Sequence, residues 1–281
     1  MEFTVLMSVY NKEHPAYLRQ SLESTLVNQS ITPTEMVIVK DGELTDELNE
    51  IIDEFYLAFP SVVKIISLYK NVGLAEALSR GLIECKYNLV ARMDSDDIND
   101  FNRFEKQLNI FKHNFDIDVV GGNIGEFSSD SKYIENIRYV PQDKSELIKM
   151  AKRRNPINHV SVMFKKSSVI KAGGYRNLSY VEDYYLWIRM LQDGCNIVNI
   201  NEILVFVRTG KNMYKRRSNP KIIKSVYILQ KKMYELKFIK KIDIIINMTI
   251  IILFTFFPSN SKKYLYKWFL RKKPIKLENI T

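Results

Sequence analysis

The sequence places a group of carboxylates directly after an apolar, strand-like run. Asp94-Ser95-Asp96-Asp97 follows residues 88–93. Carboxylates at the end of a strand, with a small residue between them, can aim oxygens at one hard cation such as Mg²⁺ or Mn²⁺. That cation would neutralise a leaving diphosphate. A solvated turn, with Asp97 or Asn99 capping the next helix, explains part of the same pattern. The motif alone leaves both interpretations open.

A second acidic pair, Glu182-Asp183, opens a helix-like segment. Acidic residues there favour the helix dipole by roughly 0.3–1 kcal/mol, which is a purely structural explanation. The functional alternative is a general base. Transfer of a group to a hydroxyl requires a carboxylate that accepts the hydroxyl proton as the new C–O bond forms. Because the pKa of such a hydroxyl lies far above 7, this base would act in the transition state.

Strand-like and helix-like segments alternate through the first half of the chain. Apolar runs predict strands over residues 3–10, 36–39, 62–68, 88–93 and 119–122, and helical spacing predicts helices over 16–28, 46–59, 74–85 and 101–111. This alternation predicts an α/β fold with a Rossmann-like parallel sheet covered by helices on both faces. Ligands of such sheets bind beyond the carboxyl ends of the strands.

Four polar clusters fall at that predicted edge of the sheet. Asn11 follows the first strand, Asp41 the second, Asn71 the third and Asp94 the fourth. Asp41 could accept a base N–H of a nucleotide. Asp41 and Asn71 could each, alone, be turn residues. Their convergence on one edge is a stronger signal of a nucleotide site than any single cluster.

The second half of the chain alternates less regularly. Helices are predicted over residues 144–152 and 183–192, and strands over 159–164, 195–200 and 204–207. We interpret this stretch as the remainder of one domain, residues 1–210, that closes over the site.

The remaining residues, 211–281, form a tail of different composition. Residues 208–281 hold 19 Lys and Arg against three acidic residues, whereas residues 1–207 carry a net charge of −6. Residues 222–239 have a helical pattern, 244–257 carry no charge, and 262–273 interleave aromatic and basic residues. The uncharged run is shorter than the about 20 residues that span a bilayer. We expect a shallow anchor on an anionic membrane, with a packed helix and a true span as alternatives.

Several motifs together resemble the family 2 glycosyltransferases, which have the GT-A fold. Their nucleotide-binding half is similar to Ser8-Val9-Tyr10-Asn11, Lys40-Asp41-Gly42 and Lys70-Asn71-Val72-Gly73-Leu74. Their metal and diphosphate motif is similar to Ala91-Arg92-Met93-Asp94-Ser95-Asp96-Asp97. Their acceptor-side motif is similar to Gly173-Gly174-Tyr175 followed by Glu182-Asp183-Tyr184-Tyr185-Leu186-Trp187. The motifs occur in the family's order and at its usual spacing.

The resemblance implies an inverting enzyme that uses Mn²⁺ or Mg²⁺ and makes a β-linkage from an α-linked nucleotide sugar. In it, Asp41 holds uracil, Asp94 contacts the ribose or metal, Asp96 is the main metal ligand, and Asp183 is the catalytic base. The remaining nucleotide-sugar contacts are Tyr10, Asn11, Asn71 and Arg92. Candidate acceptor or diphosphate contacts are Asp97, His159, Gly174, Tyr175, Glu182 and Trp187.

Within the family, the chain most resembles bacterial enzymes that assemble O-antigen (lipopolysaccharide) and capsule. This implies transfer of one hexose, glucose or galactose from a UDP-sugar, to a polyprenyl-diphosphate-linked sugar on the cytoplasmic face of the inner membrane. N-acetylated hexoses, the acceptor sugar and its linkage carbon stay open. The Gln-x-x-Arg-Trp motif of processive members is missing after Glu182-Asp183, so one sugar per acceptor is expected.

Two other classes of function would each use part of this sequence. A nucleotidyltransferase would need a glycine-rich phosphate loop, but residues 8–12 contain no glycine. A nucleic-acid-binding protein could use the basic, aromatic tail, but its uncharged block belongs in lipid or a core, so no nucleic-acid partner is expected. The N-terminus shows no secretory signal. Cys85 and Cys195 lie in apolar stretches without metal or redox spacing, which suits a reducing compartment.

Overall fold

The computed structural model describes residues 1–209 and 221–256. Its first half alternates strands and helices as the sequence predicts. The elements in chain order are β1 (Phe3–Val9), α1 (Pro15–Leu26), β2 (Glu35–Lys40), α2 (Asp46–Ala58), β3 (Val63–Ser67), α3 (Leu74–Glu84) and β4 (Leu89–Asp94). Strand β1 pairs in parallel with β2 and β4, and β2 pairs in parallel with β3. These four strands form the predicted parallel half of the sheet.

The second half adds strands of mixed direction to the same sheet. Its elements are β5 (Ile98–Asn99), α4 (Arg103–His113), β6 (Ile117–Phe127), β7 (Asn136–Arg138), α5 (Lys144–Ala151), β8 (Met163–Lys165), α6 (Lys166–Lys171), α7 (Glu182–Gln192) and β9 (Asn196–Arg208). The strand order is β3-β2-β1-β4-β8-β6-β9-β5, with β7 pairing to β6. Short strand β8 runs antiparallel to both β4 and β6. The sheet is therefore mixed rather than wholly parallel.

Two predicted strand boundaries in this half are wrong. The first half of the predicted strand 159–164 is a 3-10 turn, His159–Ser161, and only its last two residues lie in β8. The two predicted strands 195–200 and 204–207 are one long strand, β9, which follows β6 through irregular register shifts. A local irregularity in the ladder lets the strand continue past Asn201 and Glu202, although these polar residues look like a turn in the sequence.

Both faces of the sheet are buried. Along β1, Phe3, Val5 and Met7 face a cluster formed with α1, α2 and α4, whereas Leu6 faces a second cluster formed with α3 and α7. All four side chains have no exposed surface. Each contributes about 1.5–3 kcal/mol by leaving water. Cys85 and Cys195 are also free and buried, and burial raises the pKa of the Cys85 thiol to about 12.

A buried polar network fixes the end of β4. Arg103 on α4 donates to the Arg92 carbonyl oxygen at 2.7 Å and to the Asn99 side chain at 2.5 Å. Gln107, one turn later, donates to the Val120 carbonyl at 2.7 Å and to the Ser161 carbonyl at 2.9 Å. These bonds connect β4, β6 and the 3-10 turn through one helix, so the strand end is held rigidly.

Two further helices, α8 (Lys221–Glu235) and α9 (Lys241–Phe256), belong to the tail. The fully buried Leu229 and Met233 of α8 share a cluster with Tyr184, Tyr185 and Ile188 of α7. Helix α8 therefore packs on the catalytic domain, whereas the anchor and packed-helix alternatives concern the uncharged run that begins at residue 244, most of which lies in α9. No helix among the described residues is long and apolar enough to cross a membrane. The predicted aromatic-basic segment 262–273 lies outside the described residues.

Candidate active site

The polar clusters that follow β1, β2 and β4 lie side by side at one edge of the sheet. Ser8 pairs in register with Val39 on one side and with Asp94 on the other. The Asp41 backbone N–H donates to the Val9 carbonyl at 2.8 Å. Tyr10 and Asn11, which follow β1 directly, are both exposed there. The structure thus brings the predicted nucleotide-site residues to a common edge.

Asp41 joins the ends of β2 and β3. Its buried carboxylate accepts the backbone N–H groups of Val72 at 2.7 Å and Gly73 at 3.0 Å, and the Asn71 amide donates to the Asp41 carbonyl at 3.2 Å. Gly42 permits this approach, because it has φ +88° and a Cβ there would lie 2.6 Å from the Asn71 backbone nitrogen. Asp41 therefore holds the Asn71 loop in place, which was not anticipated from the sequence. A contact between Asp41 and uracil stays a prediction.

Three carboxylates converge after β4. Ligand oxygens of Asp94, Asp96 and Asp97 all lie within 4.8 Å of one another. Asp94 and Asp96 are half-buried, whereas Asp97 is buried. Burial, Asp94 and Glu13 raise the pKa of Asp96 to about 7, and burial with both neighbouring aspartates raises the pKa of Asp97 well above its ordinary value. This mutual repulsion is what a divalent cation with oxygen ligands would relieve.

Arg92 lies beneath the carboxylates. Its guanidinium is almost fully buried and pairs with Asp94. Its Nε and Nη1 atoms have no hydrogen-bond partner among the described residues. Burial raises the pKa of Asp96, Asp97, Glu182 and Asp183, and the charge of Arg92 offsets part of that rise in all four. One buried cation therefore acts on both acidic groups that the sequence singled out.

Two residues that hold the carboxylate motif were not assigned from the sequence. The Arg208 backbone N–H donates to Asp97 at 2.9 Å, and its guanidinium donates to the Asp96 carbonyl at 3.2 Å. The same guanidinium stacks 3.9 Å from the Tyr17 ring. Glu13 accepts from the Ser95 hydroxyl. Arg208 is the last residue of the final strand and Glu13 precedes the first helix, so only the folded chain brings them to the motif.

The acidic pair Glu182-Asp183 opens α7, as the sequence predicts. Both residues are half-buried. Burial raises the pKa of Glu182 to about 6 and raises that of Asp183 above its ordinary value. Asp183 accepts a hydrogen bond from the Asn155 amide at 2.6 Å. A carboxylate whose pKa is raised toward neutrality is suited to accept a proton near physiological pH.

The other acceptor-side candidates form a packed support rather than an open surface. His159 Nε2 lies 2.8 Å from the Tyr175 hydroxyl, and its ring meets the edge of Trp187. Burial and Arg92 lower the pKa of His159 well below its ordinary value, so it stays neutral. Trp187 has no exposed surface. It packs against His159 in this conformation, and contacts of these residues with an acceptor or diphosphate stay predictions.

The Gly173-Gly174 turn is fastened to α7. Arg189 of α7 donates to the Ala172 carbonyl and, at 2.6 Å, to the Gly174 carbonyl. Ser79 of α3 donates to the Tyr175 carbonyl at 3.1 Å. The turn thus connects the helix that carries Asp183 with the nucleotide-binding half.

Residues 4–174 match the family described as Glycosyl transferase family 2. The chain is a family 2 glycosyltransferase. Over 273 residues it is 38% identical to the UDP-Gal:alpha-D-GlcNAc-diphosphoundecaprenol beta-1,3-galactosyltransferase of Escherichia coli, which covers 96% of this chain and 97% of that protein. It is also 38% identical, over 235 residues, to the amylovoran biosynthesis glycosyltransferase AmsE of Erwinia amylovora, covering 84% and 85% of the two chains.

The fold is that of the GT-A glycosyltransferases. The solved structure of residues 1–349 of S. aureus TarS in complex with UDP-GlcNAc has a TM-score of 0.63 and 16% identity to this glycosyltransferase, covering 96% of it and 73% of that chain. At this identity the likeness concerns the fold alone. The nucleotidyltransferase and nucleic-acid-binding alternatives are excluded as the main activity by the family.

Proposed function

We propose that this glycosyltransferase transfers one hexose, with inversion, from a UDP-sugar to a lipid-diphosphate-linked sugar. The observation that carries this proposal is that the buried guanidinium of Arg92 acts on two separate groups of carboxylates. Asp94 and Asp96 lie at the nucleotide edge, Asp183 lies at the start of α7, and buried Arg92 acts electrostatically on both. Donor phosphates and acceptor hydroxyl therefore each have a suitable group nearby.

The residues of the chain have distinct roles in this proposal. Asp94 and Asp96 would hold Mn²⁺ or Mg²⁺, which supplies positive charge for the departing diphosphate when bound. Asp183 takes the acceptor hydroxyl proton as the hydroxyl oxygen forms its bond to the anomeric carbon. Arg92, whose Nε and Nη1 atoms have no hydrogen-bond partner among the residues that the structure describes, offers fixed charge near the sugar as the transition state becomes oxocarbenium-like. Attack opposite the leaving diphosphate gives the β-linkage.

The substrate classes follow from the relatives. The Escherichia coli relative is named for galactose transfer from UDP-Gal to lipid-linked GlcNAc, so UDP-galactose is the first donor to test and UDP-glucose the second. Assembly of O-antigen or capsule is the corresponding process.

The reaction is tested by incubating the purified full-length chain with Mn²⁺ or Mg²⁺, a panel of UDP-sugars and a synthetic GlcNAc-diphosphate-lipid. We expect acceptor-stimulated UDP release with one donor, and its loss when EDTA removes the metal. Matched reactions without acceptor measure background hydrolysis. Release that is indifferent to EDTA would contradict the metal role, and consumption of no UDP-sugar would contradict the donor assignment.

Membrane association is the second part of the proposal. Helix α9 supports it, because polar residues of this helix face the protein and apolar residues face solvent. Its polar Asp243 and Asn247 face the protein, where Asp243 pairs with Arg153 at 2.9 Å and Asn247 is buried. The exposed stripe of the helix includes Thr249 but is largely apolar, and its large apolar residues are Ile242, Ile245, Ile246, Ile250, Ile252 and Leu253. A helix of a soluble domain turns its apolar side inward. The exposed stripe of α9, with the basic tail, fits an anionic phospholipid surface at which the enzyme would bind peripherally, on the cytoplasmic face of the inner membrane.

The stripe is tested with charge substitutions rather than truncation, because removing α8 would uncover the core around α7. The double variant Ile245→Glu/Ile250→Glu should bind vesicles of anionic phospholipid about tenfold or more weakly, because each buried isoleucine contributes roughly 1.5–3 kcal/mol. The matched control is Leu57→Glu/Ile83→Glu, two exposed aliphatic residues on α2 and α3.

Vesicle binding is measured by cosedimentation. If both double variants lose vesicle binding equally, or neither loses it, the exposed stripe of α9 is not the membrane-binding surface. A change in oligomeric state confined to the α9 variant would assign the stripe to a second copy of the chain instead.

A further inference from the structure

Asp183 lies in a buried position that favours the protonated form of its carboxylate, whereas a base must be ionised. Burial raises its pKa, whereas the Tyr184 backbone N–H, Arg138, the Asn155 side chain and Arg92 all lower it. Glu182, the adjacent acid, repels it electrostatically. A carboxylate under these opposing influences depends on particular donors to remain ionised and correctly turned.

Asn155 is the side chain in direct contact with that carboxylate. Its amide nitrogen donates to Oδ2 of Asp183 at 2.6 Å. Its amide oxygen accepts the Ile157 backbone N–H at 3.2 Å. Because the oxygen is already used by an N–H group, the NH₂ group must be the end that faces Asp183. The orientation of the amide is therefore set by the surrounding backbone.

The backbone of Asn155 is also held. Arg138 at the end of β7 donates to the Asn155 carbonyl at 2.9 Å, which brings a positive charge toward Asp183. Pro156, which is buried, follows directly and restricts Asn155 to extended backbone conformations. Asn155 is thus fixed at its side chain, at its carbonyl and by its neighbour in the chain.

We propose that Asn155 is the positioning residue of the catalytic base, holding Oδ2 of Asp183 so that the carboxylate keeps one orientation toward the acceptor hydroxyl. This inference rests on the proposed role of Asp183 as the base. Asn155 does not touch the reacting atoms. Its effect should fall on turnover and on the pH at which Asp183 loses its proton, and leave donor binding unchanged.

The test uses two variants of the full-length enzyme, Asn155→Ala and the near-isosteric Asn155→Asp. With UDP-galactose and the GlcNAc-diphosphate-lipid acceptor, kcat should fall about tenfold or more while the affinity for the UDP-sugar stays the same. Loss of the N–H donor raises the pKa of Asp183, so the acid limb of the kcat/KM profile should move to higher pH. The shift should be larger for Asn155→Asp, because a second carboxylate then faces Asp183.

The structural control is Asn158→Ala in the same segment. Asn158 is buried and donates to the Gly122 carbonyl at 2.8 Å, so its loss should lower stability but leave the acid limb in place. An unmoved acid limb in the Asn155 variants would overturn the inference. If Asn155→Ala does not fold, Asn155→Asp carries the test alone.

A different result is expected if Asp183 is not the catalytic base. Asp183→Asn would then retain normal turnover, whatever the Asn155 variants do. An inactive Asp183→Asn together with wild-type profiles for both Asn155 variants would refute only the positioning role.

Discussion

At the scale of single residues, the chemistry of the site depends on charges that the fold keeps close together. Asp94, Asp96 and Asp97 repel one another, and buried Arg92 offsets part of that repulsion. Residue type and position at a strand end made these acids a candidate cation site, and only the family resemblance favoured that interpretation over a solvated turn; their metal role stays a prediction. The partners of the acids were not predictable, because Arg208 reaches Asp97, and Asn155 reaches Asp183, only through tertiary contacts.

Replacing the proposed base should separate binding from turnover. Asp183→Asn keeps the shape of the side chain but cannot take a proton, so turnover should fall by at least ~100-fold while UDP-sugar binding persists. Calorimetric titration with the UDP-sugar and initial rates of UDP release measure the two quantities. A small effect would move the base elsewhere, with Glu182 as the first candidate because the pKa of Glu182 is raised to about 6.

Replacing the proposed metal ligand should abolish the metal response. Asp96→Ala removes a half-buried carboxylate from the cluster without emptying the core, so the fold should persist while activity and Mn²⁺ dependence disappear. Circular dichroism and metal titrations measure these properties. Normal turnover in this variant would eliminate Asp96 as the metal ligand.

The negative charge of Asp97 should destabilise the metal-free protein. In Asp97→Asn the side-chain oxygen can still accept the Arg208 N–H, but one of three close negative charges is gone. At a pH above the raised pKa values of Asp96 and Asp97, where all three carboxylates are ionised, we expect the free energy of unfolding in EDTA to rise by on the order of 1 kcal/mol. Urea unfolding measures it, with Asp53→Asn, an exposed aspartate, as control. A less stable Asp97→Asn protein would show that the charge itself is required.

At the scale of elements, the periodicity of apolar residues predicted the positions of helices and strands wherever the apolar pattern was strong. Strands β1 to β4 and helices α1 to α4 and α7 lie where the sequence indicates them. Predictions failed at short elements whose environment comes from distant parts of the chain. Three-residue strand β8 is defined by its pairing with β4 and β6. The direction of that pairing makes the sheet mixed, and no local pattern encodes it.

Helix α9 is attached through polar contacts, which makes Asn247 important for its docking. The Asn247 amide donates to the Lys152 carbonyl and to the Gln230 side chain, both at 2.8 Å. Asn247→Leu would leave these acceptors unpaired, so the free energy of unfolding should fall by about 1–3 kcal/mol. Faster hydrogen exchange in α9 should accompany the loss. Thr249→Ala, which removes only a local exposed bond, is the control; equal exchange in the two variants would contradict this account.

At the scale of the whole molecule, the catalytic domain and the tail differ in net charge, but the helices of the tail pack on the catalytic domain. Residues 1–207 are mildly acidic and the tail is strongly basic. The sequence suggests a boundary near residue 210. Yet α8 completes the core around α7, the helix that carries Asp183, and α9 holds the Lys152 carbonyl close to Asn155 in the chain. A membrane-bound tail would therefore hold the acceptor side of the site toward the lipid surface that carries the acceptor.

We propose above all that one hexose is transferred with inversion at this site. Nuclear magnetic resonance of the product formed with excess UDP-galactose and the GlcNAc-diphosphate-lipid tests it most directly. We predict a single added hexose with a β-anomeric proton, formed by the wild-type enzyme and not by Asp183→Asn. An α-linked product, or a chain of several hexoses, would contradict it.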